Sequence, residues 1–205
     1  MKTPNPLLPF GYSPIAPGTV ATVVTCLEMT EKPPPRLVPP PSGSIDLQPL
    51  QPPDIAIYRA LFRRVGEDWL WSSRLVMADG ELRAILENPQ VEVHVLRRER
   101  QPIGLLELDF REPGECELAF FGLAQKAIGQ GAGRYLMDQA ITRAWATPIR
   151  RFWVHTCTFD HPSALGFYRR SGFRPYAFAV EVMEDPRLTG HLPRTAAPQV
   201  PLMES

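Results

Sequence analysis

The sequence predicts an α/β (α+β) domain: a mixed, mostly antiparallel sheet flanked by helices. Three patterns point there. Apolar, β-branched stretches at residues 91–96, 103–110 and 117–123 follow one another across short turns marked by Gln101-Pro102 and Pro113-Gly114, which reads as an antiparallel meander. Helical periodicity appears on both sides of that meander. Further strand-like stretches at 152–156 and 176–183 alternate with the last two helical segments, so the strand directions must be mixed. At 205 residues the chain can bury one core, and a single domain is the default.

Of 24 prolines, 14 fall in residues 1–53, and this skew organises the N-terminal quarter. Residues 1–18 hold five prolines with Gly11 and Gly18 and read as an extended arm. Residues 20–28, rich in Val and Thr, read as a strand. Residues 33–53 hold nine prolines and read as a long surface connection within one domain spanning 19–186. Asp54 is a helix N-cap, followed by Ile55, Tyr58, Leu61, Phe62 and Val65 at helical spacing and by Gly66 as a stop. Residues 68–74 form an aromatic turn, and 81–86 a second helix that ends before Asn88-Pro89.

After the meander come glycines at 129, 131 and 133. A helix then presents Leu136, Met137, Ala140, Ile141, Ala144 and Trp145 on one face. The strand at 152–156, a helix at 162–171 stopped by Gly172, and the strand at 176–183 complete the layout, with 187–205 a C-terminal tail.

The charge balance of 22 basic and 22 acidic residues removes the electrostatic footprint of a general nucleic-acid or membrane-surface binder. Arg97, Arg98 and Arg100 are too short a run to restore it and read as a solvated turn. Without an apolar run of membrane-spanning length or a signal-like N-terminus, and with three widely spaced cysteines, a cytoplasmic protein is expected. His155, Cys157 and His161 lack a fourth ligand, so no metal is expected.

The most informative stretch runs from Leu123 to Arg134, a strand end passing through three alternate glycines into a helix. Glycine lets backbone approach a phosphate, and the first free amides of the helix point outward at the positive end of its dipole. The spacing Gly-x-Gly-x-Gly fits neither a Walker loop nor a dinucleotide fingerprint. Ile128-Gly-Gln-Gly-Ala-Gly-Arg134 instead resembles the acyl-CoA pyrophosphate loop of the GNAT superfamily of N-acetyltransferases. Downstream, His161 to Phe173, with Ala164, Tyr168 and Gly172 at matching spacing, is similar to the same family's Asn-x-x-Ala-x-x-x-Tyr-x-x-x-Gly-Phe segment. Ile128 stands where the family commonly has Arg or Gln, and His161 where it has Asn. The backbone amides survive the first change, and imidazole keeps one hydrogen-bonding role after the second.

The resemblance implies direct transfer of an acetyl group from acetyl-CoA to a primary amine of a small molecule or peptide. The alternative class is a non-catalytic acyl-CoA-binding or interaction domain with the same fold. By resemblance, Ile128, Gly129, Gln130, Gly131, Ala132, Gly133 and Arg134 would hold the pyrophosphate. Phe121, Gly122 and Leu123 would lie beside the thioester arm, and His161 and Tyr168 would complete the acyl-CoA site. Tyr168 would protonate the departing thiolate. The base stays open among Glu117, Glu107 and His155, and each carboxylate has the alternative of simply facing solvent from an alternating strand. The family's architecture implies that Trp69, Trp71 and Arg74 line the amine pocket, with the tryptophans against an apolar amine and Arg74 on a carboxylate. A homodimer is left open.

Overall fold

The computed structural model describes residues 6–34 and 38–204; residues 1–5 of the arm, 35–37 of the long connection and 205 of the tail lie outside the described residues. Seven strands form one sheet. They are β1 (Thr19–Met29), β2 (Ile45–Pro49), β3 (Val91–Arg98), β4 (Gln101–Asp109), β5 (Glu115–Leu123), β6 (Arg151–Cys157) and β7 (Arg174–Glu184), in the order β2-β3-β4-β5-β6-β1-β7. All neighbours are antiparallel except β5 and β6. The helices are α1 (Ile55–Gly66), α2 (Ser73–Val76), α3 (Asp79–Leu86), α4 (Ala132–Ala144) and α5 (Ala164–Ser171).

Local chemistry explains the helix ends. Asp54 accepts a hydrogen bond from the Ile57 amide at 2.9 Å, satisfying one donor of the first turn of α1. Gly172 at φ +114° closes α5 in the left-handed conformation, with the Phe173 amide reaching back to the Tyr168 carbonyl. The hydrophobic faces of α1 and α3 cover one side of β3 and β4 through Tyr58, Phe62, Val65, Leu82, Val93 and Leu105. On the other side, α4 and α5 bury Leu136, Met137, Ala140 and Tyr168 against Leu27, Leu106, Leu118 and Phe152. Every apolar position foreseen in α1 is in this frame.

The strand read at residues 20–28 is β1, which lies between β6 and β7, far from β2. Pairing on both sides requires an apolar strand, and Leu27 and Met29 supply the core contacts. The connection expected over residues 33–53 contains β2. Its Ile45 and Leu47 alternate against the core, while proline-rich flanks conceal the alternation.

Residues 187–204 pack rather than trail. Leu192, Ala196 and Ala197 are buried with Val20, Leu70 and Phe159. Buried Arg187 makes a paired hydrogen bond to Asp185, and its guanidinium donates to the Val200 carbonyl at 2.8 Å, fastening the segment. Among the described residues, no helix is long and apolar enough to cross a membrane.

Candidate active site

The sheet opens between β5 and β6. Only Glu115, Cys116 and Glu117 pair with Arg151, Phe152 and Trp153, although β5 continues to Leu123 and β6 to Cys157. Beyond Glu117 the two strands diverge, leaving main-chain groups on their facing edges without ladder partners. A register shift in β5 between its pairings to Glu107 and Leu108 turns Phe120 toward α1 and Phe121 toward α5.

On the α4 side, the backbone is bare. Gly129 (φ +79°) and Gly131 (φ +82°) adopt left-handed geometry. A Cβ built on Gly129 would meet nothing within 4 Å, and one on Gly131 only Pro41 at 3.9 Å. Gly131 is the N-cap of α4, and no side chain among the described residues caps the helix, so the amides of Ala132, Gly133 and Arg134 keep the orphan status of a first turn. Gln130 does not cap them; its side chain accepts from Arg98 and donates to the Lys126 carbonyl. Ile128, half-buried, leads into the turn. These features fit an anionic phosphate held by main-chain donors and a helix dipole.

The end of β5, the start of α4 and α5 converge there. Gly133 faces Leu123 and Phe167, while Phe121 stacks on Phe167 at 5.7 Å and meets Tyr168 edge-on at 6.2 Å. Tyr168 is buried, and no hydrogen bond reaches its hydroxyl among the described residues. Burial, with Asp160 adding to it, pushes this phenol well above the ordinary tyrosine range, so it keeps its proton. His161 uses Nδ1 to accept from the Ser163 amide at 3.1 Å.

The α1 side is built from side chains. Gly122 allows α1 to sit on β5: a Cβ there would run into Val65 and Trp71. Trp71 packs between Phe62 and Phe120 and donates its indole N–H to Asp160 at 3.1 Å, while Trp69 lies edge-on to His161. Asp160 also accepts from Thr156 and from the Cys157 amide. The turn after α1 is thereby joined to the loop after β6.

Arg74 and Glu107 meet each other instead of a ligand. Glu107 is 0% exposed; its Oε1 accepts from Arg74 Nη2 at 2.5 Å and its Oε2 from the Tyr58 hydroxyl. A carboxylate enclosed by two donors is not placed to take a proton from an amine, and a buried guanidinium already on a carboxylate is not placed to hold another. These corrections remove Glu107 from the base candidates and Arg74 from carboxylate recognition. Sequence could not show the pairing, since the residues are 33 positions apart on different elements.

Glu117 and His155 are brought together where the strands part. Glu117 is the last residue of β5 paired with β6, and His155 Nδ1 on β6 stands 3.6 Å from its Oε1. The pairing with Glu117 raises the imidazole above its ordinary value despite partial desolvation. Both side chains remain open to solvent, so an acid–base pair lines this side of the opening. Among the described residues no group of three or more His, Cys, Asp or Glu side chains is arranged to hold a metal ion.

A split sheet beside a glycine-flanked, uncapped helix leaves main-chain groups free on both sides of one opening. Residues 56–173 match the acetyltransferase (GNAT) family model, and the chain belongs to that family. No curated protein matches the chain significantly. Among solved structures it is similar to a GCN5-related N-acetyltransferase from Sphaerobacter thermophilus, with a TM-score of 0.59, 13% identity, and coverage of 82% of this chain and 52% of the other. A functionally unknown conserved protein from Staphylococcus epidermidis has a TM-score of 0.54 at 15% identity, over 82% of this chain and 63% of its own. An aminoglycoside acetyltransferase from an uncultured soil metagenomic sample has a TM-score of 0.52 at 16% identity, over 62% and 87%. At these identities the likeness is one of fold. The chain spans 63% and 52% of the first two proteins named by length, in the order Staphylococcus and Sphaerobacter.

Proposed function

We propose that the protein transfers an acetyl group from acetyl-CoA directly to a primary amine of a small molecule or peptide. The observation that carries this reading is the parting of β5 from β6 directly after Glu117, with uncapped amides on one side and a carboxylate–imidazole pair on the other. In this reading the amides at 132–134 and the bare turn at 129–131 hold the pyrophosphate, and the free edge of β5 at 121–123 aligns the pantetheine arm. The thioester supplies an activated acyl carbon.

The remaining work belongs to the protein. Glu117, directly or through one water, takes the proton from the incoming ammonium so that its nitrogen lone pair can attack. His155, with Nδ1 3.6 Å from its Oε1, holds that carboxylate in place. The new C–N bond forms as the C–S bond breaks, Tyr168 delivers its proton to the sulfur, and the proton that the nitrogen sheds on becoming an amide passes through solvent to restore the phenol. A desolvated phenol holds that proton until an equally desolvated anion appears beside it. Trp69 and Trp71 give the amine pocket an apolar wall, which favours an acceptor with an aromatic or aliphatic body.

Two measurements test the proposal. Calorimetry with acetyl-CoA is expected to show binding, and thiol release across an amine panel is expected to show turnover. Glu117→Gln should lower kcat/KM by about 10²–10⁴-fold with acetyl-CoA affinity retained. Binding without turnover on any amine would favour the non-catalytic acyl-CoA-binding class, and absence of binding would overturn both.

A further inference from the structure

The two edges of the sheet differ. β2 is five residues long and ends in Pro49, a short edge blunted by proline. β7 is 11 residues long, hydrogen-bonded to β1 on one side and last in the sheet on the other, and nearly all of it is exposed. Its middle is apolar. Phe178 is 73% exposed, and Val180 and Val182 about half. The register sets Val180 beside Val23, which is also half-exposed, so these side chains form one band along the edge. A long, apolar edge strand of this kind templates pairing with another strand.

We infer that β7 is the interface between two copies of this chain, paired antiparallel about a two-fold axis near Ala179. The occupant is set by the strand's own symmetry. Pairing centred there places Phe178 of each copy across from Val180 of the other, two equivalent apolar cross-strand contacts. The same pairing carries Arg174, at the start of one strand, toward Glu184, at the end of the other, twice. Both residues are exposed, and neither has an ion-pair partner among the described residues. A self-complementary patch on a two-fold axis closes after two copies, so the product is a dimer with one continuous sheet rather than a fibre.

Sedimentation velocity on the full chain, without ligands, tests this. The expected result is a dimer at micromolar concentration that Val180→Lys converts to monomer with an unchanged circular dichroism spectrum. Arg174→Glu and Glu184→Arg, each alone, should weaken association about tenfold by opposing like charges, and together should restore it to within about threefold. The charge pair decides the matter even if Val180→Lys perturbs folding. A monomeric wild type, a dimer indifferent to all three substitutions, or a dimer lost only on removing residues 1–17 would each overturn the assignment.

Discussion

On the α4 side of the opening between β5 and β6, the groups left for a ligand are main-chain amides around Gly129 and Gly131, supplied by about six consecutive residues. On the α1 side they are side chains from distant parts of the chain: Glu117 with His155, Trp71 with Asp160, Trp69 with His161. The difference teaches how each side can fail. A backbone site depends on dihedral angles and on side chains being absent. A side-chain site depends on partners, and where a pair is buried, as Arg74 and Glu107 are, losing one leaves the other unsatisfied.

The largest expected effect therefore lies on the α1 side, in the Arg74–Glu107 pair beneath it. Glu107→Ala should destabilise the fold by about 3–5 kcal/mol, because the buried guanidinium loses its carboxylate while Tyr58 loses its acceptor. Chemical denaturation reads this directly. Replacing all three partners by apolar residues, as in Tyr58→Phe with Arg74→Met and Glu107→Leu, should recover most of the loss. If Glu107→Ala instead retained full stability and lost only turnover, the carboxylate would be acting in chemistry after all.

On the α4 side the expected effect is smaller and falls on binding. Gly131→Val places a branched side chain at φ +82° and in the open space where a phosphate would approach. The strain of that conformation is about 1–3 kcal/mol, and with the added obstruction acetyl-CoA affinity should drop by about two orders of magnitude in calorimetry. The thermal midpoint should fall by about 2–4 °C for each kcal/mol of that strain, less than for Glu107→Ala. Unchanged affinity would remove the turn from the site.

This contrast also explains what could be read in advance. The tight turn into α4 was legible because glycine spacing encodes backbone geometry locally, and α1 because Tyr58, Phe62 and Val65 repeat at the helical period. Glu117 was legible as a carboxylate interrupting an apolar strand, but its neighbour was not, since register between β5 and β6 depends on how far they stay paired. For the same reason Glu107, which also interrupts an apolar strand, looked equivalent to Glu117 until Arg74 and Tyr58 were seen to enclose it. The place of β1 was hidden too: its composition specifies a strand with neighbours on both sides but not which ones. Residues 187–204 concealed their burial because Arg187 organises them through carbonyl groups, which no side-chain pattern records.

The smallest expected effect concerns His155, and it separates a participating pair from two residues that merely lie close. The folded-state pKa of His155 is raised by Glu117, so the protonated form is the one the fold favours. Its contribution to stability is then present in full below the unfolded histidine value of about 6.5 and is lost as pH rises through the higher folded value. For catalysis the sign is opposite. While His155 is charged its ion pair occupies the Glu117 carboxylate and keeps it from the incoming ammonium, so kcat/KM should climb as His155 deprotonates, on a limb displaced upward from the ordinary histidine range. His155→Gln should abolish that limb and change the plateau by only about threefold, with acetyl-CoA affinity intact. A pH profile unchanged by the substitution would show that the imidazole does not act on Glu117 and that the carboxylate works alone.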